Sequence, residues 1–176
     1  HLRRHLAPDL AARLRASGQP PAAAGVLRAV ASLTPTASPA LDLARAEEAL
    51  AEDRPAEAVP ILVEVAAGGG LEGPQALAAL IETQTAAGRP IDPETVALAA
   101  SHAREYRDHL LGPRLRRAHV LALVGAGQFD AALQETSHYE AAGLSFDRGG
   151  TLGPLWQGIA DAPDDGGFLR RALAAV

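Results

Sequence analysis

The chain predicts an all-α fold, a solenoid of about five antiparallel helical hairpins, on three observations. Its apolar fraction of 48% is carried mainly by alanine and leucine, while aromatic residues make up only 3%. Alanine is the best helix former, and the β-branched and aromatic residues that favour strands are scarce. Four look-alike turn segments begin at Gly18, Asp53, Gly88 and Gly127, spaced 35, 35 and 39 residues apart. Each segment lies between stretches whose apolar residues recur at helical spacing.

The turns are Gly18-Gln19-Pro20-Pro21, Asp53-Arg54-Pro55-Ala56, Gly88-Arg89-Pro90-Ile91-Asp92-Pro93 and Gly127-Gln128-Phe129-Asp130. A glycine can close one helix in the left-handed region, and a nearby proline or aspartate can open the next. The first hairpin pairs a stripe of Leu6, Leu10 and Leu14 with Val26, Leu27, Val30 and Leu33. The third turn joins Leu77, Leu80 and Ile81 to Val96, Leu98, Ala99 and Ala103, and the fourth follows Val120, Leu121, Leu123 and Val124. Such stripes need a neighbouring helix, which the next hairpin supplies. The expected hairpins span residues 4–37, 39–72, 74–111 and 112–147, with a divergent capping hairpin over 151–176, in one helical-repeat domain 1–176.

Composition excludes several classes. With no cysteine there are no disulfides, thiolate metal sites or cysteine nucleophiles. Glycine and proline together make about 17% of the chain, below the level of low-complexity disorder. No apolar run is long enough to span a bilayer. The net charge of −5 argues against nucleic acid, whose phosphates call for a basic stripe. Arg114, Arg116 and Arg117 read as a solvated helix face. Lysine, asparagine and methionine are absent. The missing Lys and Asn read as the imprint of a GC-rich, bacterial genome, and an opening without Met reads as that of a fragment or a processed form. Any signal or anchor would then lie upstream, leaving cytoplasm and periplasm both open.

In turn positions and in the small residues where helices cross, the chain resembles the tetratricopeptide repeat family. The first repeat carries this in Ala11, Gly18, Ala23, Leu27, Val30 and Pro35. Asp53, Ala58, Leu62 and Val65 carry it in the second, and Val120, Leu123, Gly127, Phe129 and Ala132 in the fourth. The second repeat's first helix fits better shifted by one residue, implying a shortened turn, and the third has extra turn residues around Asp92. The family's usual first-helix aromatics are absent. The resemblance covers roughly residues 4–145. It implies a right-handed superhelix whose concave groove, lined by the first helix of each hairpin, holds a peptide or a partner helix. Carried over by position, the groove residues are His5, Arg15, Glu47, Gln75, Glu82, Arg114 and Arg117, with Glu48 and Glu52 replacing Glu47 in the shifted register.

Catalytic and metal chemistry find little support. His102, Glu105 and His109 lie at i, i+3 and i+7, a ligand-like spacing, yet Arg104 and Arg107 are interleaved and an exposed polar face accounts for them. His1 and His5 are ligand-spaced too, at a chain end. Ser101-His102 and Ser137-His138 are sequence neighbours, whereas a working dyad converges in space. Ser145 lacks the second glycine of a nucleophile elbow. Gly68-Gly69-Gly70 is followed by no lysine and preceded by no strand, so it is no phosphate cradle. Trp156 is either a core plug or an interface anchor. The expectation is a non-catalytic protein–protein interaction module with no cofactor and no metal. The alternative is a structural scaffold or spacer within a larger bacterial assembly.

Overall fold

Helix follows helix throughout the computed structural model, and the described residues contain no strand. The structure describes residues 9–14, 17, 22–23, 25–27, 29, 38–144, 148–161 and 165–174. After helical residues within 9–14 and 22–29 come α1 (Pro39–Ala51), α2 (Pro55–Ala66), α3 (Glu72–Ala86) and α4 (Pro93–Glu105). Then follow α5 (Gly112–Gly125), α6 (Phe129–Ala141), α7 (Arg148–Ala160) and α8 (Asp165–Ala174). None of the described helices is long and apolar enough to cross a membrane.

Prolines at the first turns of α1, α2, α4 and α5 start those helices where a missing backbone N–H is harmless. Asp92 caps α4: one carboxylate oxygen accepts the Thr95 N–H at 2.8 Å and the other the Thr95 hydroxyl at 2.7 Å. These bonds hold the Asp92 carboxyl below its usual range.

The three described turns share one helix-ending motif. Asp53 N–H donates to Leu50 C=O at 3.1 Å and Arg54 N–H to Ala49 C=O at 2.8 Å. The same two bonds run from Gly88 and Arg89 to Thr85 and Gln84 (3.0 and 2.9 Å), and from Gly127 and Gln128 to Val124 and Leu123 (2.9 and 2.8 Å). This pair of bonds is the Schellman cap, which requires a left-handed residue. Asp53, Gly88 and Gly127 have φ of +56°, +63° and +71°. The turn after α1 is therefore not shortened at its cap. The turns differ in the return path, which reaches the next helix at once after Asp53 and Gly127 but passes through Arg89–Asp92 after Gly88. There Ile91 is buried, and its N–H donates to Gly125 C=O at 3.1 Å. The Gly18 turn lies outside the described residues.

Two compact units divide the chain at Leu77/Ala78, within α3. In the first, Ala11, Ala23, Leu27, Leu41 and Ala44 form a buried cluster with Leu14 against it, and α1 packs on α2. The buried residue is Ala11, while Leu10, assigned to the apolar stripe by spacing, is 47% exposed. In the second unit α5 is central: α4, α6 and α7 all pack on it. Residues Leu115–Val124 of α5 are buried apart from Arg117, as expected of a helix enclosed on several sides. The partners present narrower faces, with Val96, Ala99 and Ala103 on α4, Ala132, Thr136 and Tyr139 on α6, and Thr151, Leu155 and Ile159 on α7. Leu98 stays outside that face.

Candidate functional site

In the first unit two of the expected groove residues come together. Glu47, in the third turn of α1, and Gln75, in the first turn of α3, line one recess of about 240 Å³ with Asp9, Ala12, Ala40, Leu43, Ala44 and Glu72. Alanines on α1 and on the helical residues before it leave this surface without bulky side chains. Among the described residues, three carboxylates and one amide supply its polar groups, with no basic side chain in the lining. The recess is thus chemically suited to a guanidinium or ammonium group whose aliphatic stem rests on Leu43 and the alanines. Glu48, one residue on, lines a different recess with Arg45, Arg54 and Glu57, and Glu52 pairs with Arg54. One residue is 100° around a helix, so Glu47 and Glu48 cannot serve the same surface.

The other three described groove residues meet in the second unit. Arg114 of α5 donates to both Glu82 oxygens on α3, from Nη2 at 3.0 Å and from Nε at 3.4 Å, and Arg117 Nη1 reaches Oε1 at 3.4 Å. The side chains are partly exposed, so these ion pairs add little stability, and their geometry chiefly fixes where the charges sit. His5 and Arg15 lie outside the described residues.

The third arginine of this run behaves differently from the solvated face expected. Arg116 is 3% exposed and donates from Nη1 to Arg107 C=O at 3.0 Å; burial lowers its pKa. Beside it His119 is also buried, with Nδ1 2.8 Å from the Tyr139 hydroxyl. Neither was read from the sequence as a structural group, although Ala118-His119-Val120 places a titratable ring inside an otherwise apolar run.

The histidine spacing at 102, 105 and 109 is not kept as one helical face. Helix α4 stops at Glu105, and the backbone turns through 106–111 before Gly112. His102 Nδ1 lies 3.5 Å from Glu105, whereas His109 Nδ1 accepts the Leu111 N–H at 3.2 Å. Among the described residues no group of three or more His, Asp or Glu is arranged to hold a metal ion. Trp156 is 46% exposed, so it is not a core plug.

A further recess of about 500 Å³ in the second unit is lined by Arg89, Pro90, Val124, Phe129, Pro154 and Asp161, among others. Its floor includes a close fit that sequence alone did not disclose. The Phe129 ring lies so near Gly158 of α7 that a Cβ there would sit 2.1 Å from Cε1. No protein-family model, curated protein or solved structure matches the chain.

Proposed function

We propose that this chain is a non-catalytic binding module in which tetratricopeptide-like hairpins stack as a right-handed α-solenoid and hold a basic peptide or partner helix. The supporting observation is the recess shared by Glu47 and Gln75, two residues selected by repeat register alone, together with Asp9 and Glu72. A carboxylate-lined surface on small-residue helices selects by charge and hydrogen bonding. Glu82, Arg114 and Arg117 form a second, mixed-charge surface that would read an acidic or amide group elsewhere on the partner. The repeated cap at Asp53, Gly88 and Gly127 supports the hairpin repeat on which this reading rests.

Fluorescence anisotropy with a labelled arginine-rich 12-mer and a glutamate-rich 12-mer tests it. The basic peptide should bind and weaken as salt rises, because partly exposed charges are screened. Glu47→Lys should weaken it about tenfold, equivalent to about 1.4 kcal/mol. Equal binding of the two peptides, or no effect of Glu47→Lys, would contradict the proposal.

A further inference from the structure

The His119 ring is 7% exposed in the middle of the most enclosed helix, and Tyr139 on α6 is equally buried. Their rings meet edge-on, with centroids 6.4 Å apart and planes at 65°. In the tautomer with its proton on Nε2, His119 Nδ1 accepts the Tyr139 O–H, and protonation of Nδ1 costs the pair that bond.

The surroundings are poorly suited to a second positive charge. From α4, Arg104 acts on both rings, while His102 Nδ1 lies 3.5 Å from the Glu105 carboxylate without a hydrogen bond to it. On α5 itself Arg116 is buried near Tyr139. On α6, Glu135 is the one carboxylate acting on His119, and the His138 ring adjoins Tyr139. From α3, Glu82 is held by Arg114 and Arg117, and residue 117 lies about 200° around α5 from 119. The stretch of α7 from Gly150 to Ala160 has no titratable side chain.

We propose that the His119–Tyr139 pair is an acid-sensitive latch, so that protonation of the buried imidazole releases α6 from α5 and opens the second unit. Burial pushes the His119 pKa below its ordinary 6.5, in the direction the latch requires. Above pH 6.5 folded and unfolded chains both hold the ring neutral. Below it the unfolded chain takes up a proton that the folded chain resists, so stability falls until the lower folded pKa is passed. This device is independent of peptide binding in the first unit.

Amide hydrogen exchange of the whole chain between pH 7.5 and 5.0, corrected for intrinsic rates, tests the latch. Protection in α6 should fall about tenfold or more on acidification while α1 and α2 hold theirs. His119→Gln, which keeps a hydrogen-bonding side chain but cannot charge, should flatten the α6 response. Tyr139→Phe should lower α6 protection already at pH 7.5 and retain the acid loss. An acid loss of equal size in His119→Gln, or an α6 unaffected by pH, would overturn the proposal. Should His119→Gln fail to fold, the imidazole C–H resonances of the unaltered protein decide: a midpoint below 6.5 that coincides with loss of α6 protection supports the latch, and any other result overturns it.

Discussion

Asp53 holds a backbone conformation that its counterparts at two other turns leave to glycine. A left-handed φ brings Cβ toward the following carbonyl, and aspartate tolerates this better than most residues without escaping the strain. Asp53→Gly should therefore stabilise the protein by about 0.5–1 kcal/mol. Gly127→Val, at φ +71° and with open space around its Cβ position, should destabilise it by about 1–2 kcal/mol through backbone strain alone. Denaturant melts of both variants check this pair, and effects of the same sign would mean the caps are misassigned. These turns were legible because glycine, aspartate and proline impose local geometry wherever they fall. The buried state of Arg116 and His119 was not legible, since it depends on which helices surround α5, and that is a non-local fact. Polar residue type argued for the surface, and close packing on three sides won.

At the scale of the helices, periodicity located the elements well but their contact faces less well. Leu98 and Leu10 have the right residue type and spacing, yet alanines beside them make the contacts because close helix approach favours small side chains. Helix α4 ends before His109, so a spacing that assumed a longer helix suggested a face that does not exist. The fit of Phe129 against Gly158 joins the start of α6 to α7, and a sequence of isolated stripes contains no sign of that pairing. Gly158→Ala should cost about 1–3 kcal/mol by overpacking against the ring. Phe129→Ala should cost about 2 kcal/mol, less than a fully enclosed ring, because Phe129 is partly exposed. Once the ring is gone, Gly158→Ala should instead stabilise by about 0.5–1 kcal/mol through helix propensity. Thermal melts around that cycle check the reversal of sign, and additive effects would show that the two residues do not touch.

For the whole molecule, the all-helical class followed from composition and turn spacing, and the structure has that class in every described element. Register alone reaches only part of the candidate surface. Register put Glu47 with Gln75 and Glu82 with Arg114 and Arg117, but it could not choose between Glu47 and Glu48 until α1 had a defined rotation. Nor did it bring in Asp9, on the helical residues before α1, or Glu72, three residues before Gln75 on α3. The net charge of −5 and the carboxylate-lined recess favour a basic partner on the same electrostatic grounds. The most direct test of that claim is a charge swap, in which Glu47→Arg with Glu72→Arg is titrated against both the arginine-rich and the glutamate-rich 12-mer, with circular dichroism to verify the fold. The account predicts an exchanged preference, with the basic peptide weakened at least tenfold and the acidic one now bound. A folded double variant whose preference is unchanged would contradict it.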